Sequence, residues 1–353
     1  MISIILPVFN EERFIKKAID SILFQNISGE KYEILIADGM STDGTREIIK
    51  SYQNNNKNIF LLNNPKRIVS TGFNIALTQS RGDIIIRLDG HAEFAPNYFE
   101  KCIKTLYNRE IFCSGGIIVY KSFGIIGNSI RIAQSSNFGV GGVTFRNKKS
   151  KAKFVQTLAF GAYKREIFEL IGGYDEELIK NQDDEFNFRM NQKGYKIWLD
   201  PEIKSYYHSR DNFKKLFRQY YFYGFYKVRV IQKRTAFSSW RHLVPGVFVL
   251  CLIFSILHKI IDNESITFNI ILSVYMFLNI ISAIMEISKM RNIKGFEKKV
   301  MTCLCLIISF ITLHVSYGIG FIFGSIYFIK KWGSNKVNDN HFKKNIFISN
   351  NEH

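Results

Sequence analysis

Ile2-Ser3-Ile4-Ile5-Leu6-Pro7-Val8-Phe9-Asn10-Glu11, Tyr32-Glu33-Ile34-Leu35-Ile36-Ala37-Asp38-Gly39 and Ile84-Ile85-Ile86-Arg87-Leu88-Asp89-Gly90-His91 share one design, an apolar run that stops at a polar cluster. Short branched apolar runs bounded by turn residues read as strands covered on both faces. Between them lie helical patterns. Residues 11–25 carry Phe14, Ile15, Ala18, Ile19, Ile22 and Leu23 as one apolar stripe, and Thr45 to Tyr52 forms a second helix after the turn Gly39 to Gly44. Ile59 to Leu62 supplies another strand, and residues 71–79 another helix. Strand and helix in strict alternation predict an α/β fold built on an open, Rossmann-like parallel sheet. Ligands of such sheets bind outside the carboxyl ends of the strands. Pro7, Val8, Asn10 and Glu11, then Asp38 and Ser41, then Asp89 and His91, are therefore expected to line one crevice.

Beyond about residue 110 the order becomes mixed. Ile111 to Tyr120 reads as extended, Lys164 to Ile171 as helical up to the break at Gly172-Gly173, and Asp183 to Asn191 as a further helix. From Asn212 to Arg234 runs a basic and aromatic helix suited to a headgroup layer, with Phe213, Phe217, Tyr220, Tyr221 and Tyr223 beside Lys214, Lys215, Arg218, Lys233 and Arg234. Residues 243–261, 266–285 and 300–329 are apolar and near or above the ~20 residues that span a bilayer. This divides the chain into an α/β domain over 1–210, an interfacial helix over 211–240, a membrane region of two to four spans over 241–330 and a basic tail over 331–353. Asp262-Asn263-Glu264 is acidic, whereas Lys289 to Lys299 and the tail after Lys330 are basic. The positive-inside rule places both basic pieces in the cytoplasm with the α/β domain. Three simple spans would put the tail outside, so the last run, with Gly318, Gly320 and Gly324, is expected to kink, re-enter or form a hairpin.

The 353 residues carry 48 Lys and Arg against 30 Asp and Glu, a formal charge of +18 that favours an anionic partner. The positive residues gather beside the apolar spans, which points to anionic lipid and away from nucleic acid. The five cysteines form no CxxC pair with a matching His or Cys set, so neither a disulfide framework nor a zinc site is expected. Met1 to Pro7 lacks the basic start of a signal peptide and runs straight into polar residues, which keeps the N-terminal domain in the cytoplasm.

A dinucleotide fold is the natural rival, but Asn10-Glu11-Glu12-Arg13 follows the first strand without a glycine, so a pyrophosphate could not approach that backbone. Carboxylates around a diphosphate also require a cation between them. Asp89, His91 and His208 offer one hard oxygen and two borderline nitrogens, a mixture that suits Mn²⁺ or Mg²⁺.

Five motifs in order make the reading specific: Pro7-Val8-Phe9-Asn10-Glu11; Asp38-Gly39 with Ser41 and Asp43-Gly44-Thr45; Arg81-Gly82-Asp83 leading to Leu88-Asp89-Gly90-His91; Gly172-Gly173-Tyr174-Asp175-Glu176; and Gln182-Asp183-Asp184-Glu185-Phe186-Asn187-Phe188-Arg189. Over about residues 2–230 the chain resembles glycosyltransferase family 2, and within it the bacterial exopolysaccharide enzymes of the succinoglycan type. The resemblance implies a GT-A fold in which Pro7, Val8, Asn10, Glu11, Asp38, Ser41, Arg67, Asn74 and Asp89 hold a nucleoside-diphosphate sugar. It implies that Asp183 is the catalytic base, with Gln182 where the family has Glu. The acceptor, a polyprenyl-diphosphate-linked saccharide, would meet Phe138, Gly161, Asp184, Arg218 and Gln219. His91 stands where the family usually has Asp; polypeptide N-acetylgalactosaminyltransferases carry a similar Asp-x-His with a later histidine, the place His208 would take. The Arg-Trp pair of processive members is missing after Gln219, which favours addition of a single sugar. The implied product is one inverted linkage per turnover, made from UDP-glucose or a relative at the cytoplasmic face of a bacterial membrane. The rival expectation is a catalytically silent scaffold that keeps the nucleotide-sugar pocket.

Overall fold

The computed structural model describes residues 1–25, 31–109, 111–147, 150–234, 240–262, 266–290, 293, 295–334 and 336–339. The chain separates into two compact units, one of residues 1–119, 147–208 and the tail from 336, the other of residues 120–146 and 209–335.

The first unit is a mixed α/β sheet. Strands β1 (Ile2–Val8), β2 (Tyr32–Asp38), β3 (Ile59–Asn63) and β4 (Ile84–Arg87) alternate with helices α1 (Glu12–Leu23), α2 (Thr45–Asn55) and α3 (Val69–Gln79). After them come β5 (Ala92–Phe94), α4 (Tyr98–Asn108) and β6 (Cys113–Lys121), whose end passes into the second unit, and then β7 (Lys153–Val155) and β8 (Gly161–Lys164). Helices α7 (Glu166–Ile171) and α8 (Gln182–Gln192) and the long strand β9 (Ile197–His208) complete it, α5 and α6 belonging to the second unit. The order across the sheet is β3-β2-β1-β4-β8-β6-β9-β5, with β7 on β9. The first four are parallel and β8 joins antiparallel to β4.

Every residue of β1 is buried. Helices cover both faces of this strand, so no polar alternation is needed and each fully covered Ile or Leu contributes ~1.5–3 kcal/mol. In α1 the residues Ile15, Ala18, Ile19 and Ile22 are buried, the inner side of the stripe read from the sequence. Helix α3 lies so close to the sheet that a Cβ on Gly72 would stand 2.8 Å from Asn64 Nδ2 and 3.3 Å from Pro7. The chain enters at β1, winds outward through β2 and β3, and returns to β4 on the other flank of β1. The crevice therefore opens at the reversal between β1 and β4.

The second unit is helical: α5 (Gly124–Ser135), α6 (Asn137–Val140), α9 (Phe213–Arg234), α10 (Val244–Asp262), α11 (Ile266–Ser288) and α12 (Phe296–Tyr327). Three of its stretches, Trp240–Ile261, Ile266–Ser288 and Phe296–Tyr327, are long and apolar enough to cross a membrane. The last is one unbroken helix of 32 residues, so the expected hairpin does not form. Its glycines serve contact instead. A Cβ on Gly320 would run into the Tyr221 carbonyl, and one on Gly324 into that of Phe225, so α9 lies backbone to backbone against α12. Helix α9 also departs from a uniformly interfacial helix. Lys214, Lys215 and Arg218 in its first half are exposed, whereas Lys227, Arg229, Lys233 and Arg234 in its second half are buried. Asn263 and Glu264 of the acidic joint, and the tail from residue 340, lie outside the described residues.

Candidate active site

The ends of β1 and β2 are level, since Val8 pairs with Asp38 and Gly39 N–H donates to the Val8 carbonyl at 2.8 Å. Beyond this point each strand turns through a residue with positive φ, Asn10 at 53° and Met40 at 59°. The two turns are stitched together. Asn10 N–H donates to Ser41 Oγ at 2.8 Å, Thr42 N–H to Asn10 Oδ1 at 2.9 Å, and Glu11 N–H to Thr45 Oγ1 at 2.8 Å. Asp38 is fully buried; its carboxylate accepts from Ser41 N–H at 3.0 Å, Ser41 Oγ at 2.5 Å and Arg46 Nη1 at 2.5 Å. A buried charge needs partners of this kind, and Arg46, which the sequence reading passed over, is the one that neutralises it. Arg67, at φ 59°, has its guanidinium 6.0 Å from the centre of the Phe9 ring.

On the other side of the reversal, Gly90 allows close approach, for a Cβ there would meet Val8 Cγ1 at 2.7 Å. Asp89 Oδ1 pairs with Arg87 Nη2 at 2.7 Å, while Oδ2 stands 3.9 Å from His91 Nε2. The other ring nitrogen of His91, Nδ1, is 2.7 Å from Glu11 Oε1. A carboxylate at Nδ1 favours the proton there, so the lone pair lies on Nε2, the nitrogen 3.9 Å from Asp89 Oδ2. Two donors each bound at ~2.1 Å to one cation stand roughly 3–4 Å apart, so Asp89 and His91 fit two positions of a divalent ion whose other ligands are phosphate oxygens and water. The third expected ligand is placed otherwise. His208 Nε2 sits 2.7 Å from Glu93 Oε1, and its ring stacks on Phe14 at 5.0 Å, so its partners are a carboxylate and an aromatic face. Among the described residues no group of three His, Cys, Asp or Glu is arranged to hold a metal.

Asp183 is the second residue of α8, whose cap residue Asn181 is left-handed at φ 64°. Arg189 fixes this helix to the Gly172-Gly173 break, donating to the Ile171 carbonyl at 2.5 Å, the Gly173 carbonyl at 2.6 Å and Glu185 Oε1 at 2.8 Å. Burial pushes the Asp183 carboxyl above the usual carboxylate range; Arg87 opposes this, and the like charges of Asp184 and Asp89 add to it. Arg87 thus pairs with Asp89 and its charge also acts on Asp183. It is 4% exposed and anchored on the Ala159 carbonyl at 2.9 Å. The sequence held a signal for it, since a cation inside an apolar strand must have a buried partner.

The remaining expected residues divide. Asn74 is buried and clamps the 173–176 turn, donating to the Tyr174 carbonyl at 2.8 Å and Glu176 Oε1 at 2.9 Å, and accepting from Tyr174 N–H at 2.8 Å. Gly161 lies within β8 opposite Gly115, where a Cβ would strike the Tyr163 ring at 2.8 Å. Asp184 follows Asp183, its N–H on Asp183 Oδ1 at 2.9 Å. Phe138, Arg218 and Gln219 belong to the helical unit. Phe138 there forms part of α6 and meets Phe310 and His314 edge to face, each at 5.0 Å.

Residues 3–172 match the family Glycosyl transferase family 2. The chain is 29% identical over 249 residues to the succinoglycan biosynthesis protein ExoA of Rhizobium meliloti, covering 69% of this chain and 73% of that one. It is 33% identical over 263 residues to the Methanococcus voltae enzyme named dolichyl N-acetyl-alpha-D-glucosaminyl phosphate 3-beta-D-2,3-diacetamido-2,3-dideoxy-beta-D-glucuronosyltransferase, covering 71% and 80%. In fold it resembles the mannosyltransferase PcManGT of Pyrobaculum calidifontis, with a TM-score of 0.54 at 17% identity over 92% of this chain and 87% of that one. With that sheet, these strand-end motifs and relatives in exopolysaccharide and lipid-linked glycan synthesis, the chain belongs to glycosyltransferase family 2.

Proposed function

We propose that this protein is an inverting glycosyltransferase that moves a sugar, glucose or a close relative, from a UDP donor to a polyprenyl-diphosphate-linked saccharide in surface glycan synthesis. The observation that carries the reading is Asp89, paired at 2.7 Å with the buried Arg87 at the sheet reversal, together with a buried Asp183 that feels the charge of both. Asp38, Ser41 and the Val8–Glu11 turn supply the shelf for base and ribose, and Asp89 and His91 would hold a divalent cation. When bound, that ion offsets the negative charge that builds on the departing diphosphate. Arg67 lies at the same edge, over Phe9, and adds positive charge there. Asp183 takes the proton of the acceptor hydroxyl as that oxygen bonds to the anomeric carbon and the carbon–phosphate-oxygen bond breaks. A raised pKa suits the task, because a base poised nearer neutrality receives the proton more readily. A screen of nucleotide sugars against membranes containing the enzyme, read by nucleoside-diphosphate release, should give turnover with a UDP-sugar. Release with no donor, under conditions where the protein is folded, contradicts the proposal.

The apolar helices bring the enzyme to its lipid acceptor, and the tail supports an even number of crossings. Gly173 N–H donates to Asp339 Oδ2 at 3.3 Å and Glu176 N–H to the Asn338 carbonyl at 2.5 Å, so the tail is part of the catalytic unit. A tail that returns to its own domain requires an even number of crossings. On this reading two of the three helices cross, and residues 336–339 lie on the same side as the catalytic unit. Helix α12, ~48 Å long and thus longer than the ~30 Å hydrocarbon layer, is the one assigned to the surface, alongside α9. Cysteine labelling from either side of sealed vesicles tests this: a cysteine at Ser334 should react with a membrane-impermeant reagent only from the cytoplasmic side.

A further inference from the structure

Arg146, in the short turn Thr144–Arg146 of the helical unit, is placed unlike any cation of the sheet edge. Its Nη1 donates to the Tyr220 hydroxyl at 3.2 Å, and its guanidinium lies 5.9 Å from the centre of the Tyr120 ring and 5.7 Å from that of Phe145. Nε is shut away from solvent with no acceptor, and among the described residues neither Nε nor Nη2 meets a carboxylate. That edge of the guanidinium is the one that grips a phosphate through two parallel bonds.

The neighbours are polar and also incomplete. Gln134, beside Tyr220, is 2% exposed, and among the described residues its Oε1 has no partner. Gln219 donates through Nε2 to the Tyr223 hydroxyl at 3.1 Å, and its Oε1 is likewise buried and unmatched. Tyr220 and Tyr223 join the two halves, with ring centres 5.4 Å apart. A guanidinium set among aromatic rings with no anion, beside two amide oxygens with no donor, is costly in an empty protein. The same set complements one kind of ligand, a phosphate that carries hydroxyl groups. Because the same unit holds the helices long enough to cross a membrane, the phosphate has a lipid source close by.

We infer that Arg146, with Gln134 and Gln219, binds the phosphoglycosyl head of a membrane lipid, which on the function proposed above is the acceptor. The Nε and Nη2 edge takes the phosphate oxygens, and the two amide oxygens accept from sugar hydroxyls. Arg218, the more obvious cation from the sequence, is exposed on α9 and is not part of this cluster.

The test uses the full chain in phosphatidylcholine nanodiscs and titrates farnesyl diphosphoglucose, inorganic diphosphate and UDP, the first two in the presence of saturating UDP. Arg146→Gln should weaken farnesyl diphosphoglucose about tenfold or more, Arg146→Lys should recover part of the loss, and UDP affinity should stay unchanged in both. Inorganic diphosphate should bind at least about tenfold more weakly than the lipid probe. Unchanged affinity of folded Arg146→Gln for the lipid probe overturns the assignment. Equal binding of inorganic diphosphate overturns the lipid source. Should Arg146→Gln not fold, Tyr220→Phe removes only the hydroxyl that steadies the guanidinium; about a threefold loss is expected, and no loss refutes the site. Absence of UDP binding to the unaltered protein would strike the donor reading and leave the Arg146 result to stand or fall alone.

Discussion

The sheet edge and the helical unit both bury arginine, but they complete its charge in opposite ways. At the sheet edge buried charges pair within the protein, Arg46 with Asp38 and Arg87 with Asp89, and the histidines rest on Glu11 and Glu93. In the helical unit Arg146 has aromatic rings and one hydroxyl. Pairing within the protein fixes geometry before any ligand arrives, the condition for electrostatic catalysis. A cation left without its anion makes the fit depend on what binds. The contrast predicts that substitutions at the sheet edge change chemistry and its pH dependence, whereas those in the helical unit change lipid affinity or packing.

The largest effect should come from Asp183→Asn, which removes the base and should lower sugar transfer about a thousandfold while nucleotide binding persists. Its stability should move the other way. The folded carboxyl has a raised pKa, so the stabilisation it contributes is complete below the unfolded value near 4 and is lost as pH rises through the folded value. At neutral pH the ionised group costs stability, and the Asn variant should unfold at a higher temperature in a thermal-shift scan.

Arg87→Gln should follow, with about a tenfold to hundredfold loss in kcat/KM. Because Arg87 favours the ionised form of Asp183, its removal should shift the acidic limb of the pH–rate profile to higher pH. An unshifted limb would separate Arg87 from the base. In the helical unit, Gly320→Leu forces α12 away from the Tyr221 carbonyl and should cost ~1–3 kcal/mol, seen as a lower thermal midpoint in detergent. The smallest change belongs to Tyr52→Phe. The Tyr52 hydroxyl, pushed up to about 12 by burial and by Asp20, donates to Asp20 away from the crevice. Its loss should leave turnover unchanged and cost no more than ~1 kcal/mol in thermal stability.

The half of the sheet with one strand per apolar run was legible because β1, β2 and β4 are buried along their length and stop abruptly at Asn10, Asp38 and Asp89. Strand β9 was harder to see. Ile197, Trp198, Leu199, Ile203, Ser205 and His208 are buried, but Asp200, Pro201, Glu202 and Lys204 break its apolar character. The site followed the same division. Asp38, Asp89 and Asp183 stand at element ends where polar residues attract notice, whereas Arg87 hides inside a strand and Arg146 inside a three-residue turn. His208 has a partner that motif transfer does not name, since Glu93, on the neighbouring strand, holds its Nε2. The glycines of α12 show the limit of local propensity, because a residue that loosens an isolated helix also lets two helices touch.

Calorimetric titration of UDP into the full-length protein, with and without Mn²⁺, in the unaltered chain and in Asp89→Asn, addresses the sheet-edge crevice most directly. The account predicts that Mn²⁺ tightens UDP binding to the unaltered protein by about tenfold or more and that Asp89→Asn abolishes this gain. Binding of UDP that is indifferent to both the ion and the substitution would contradict it.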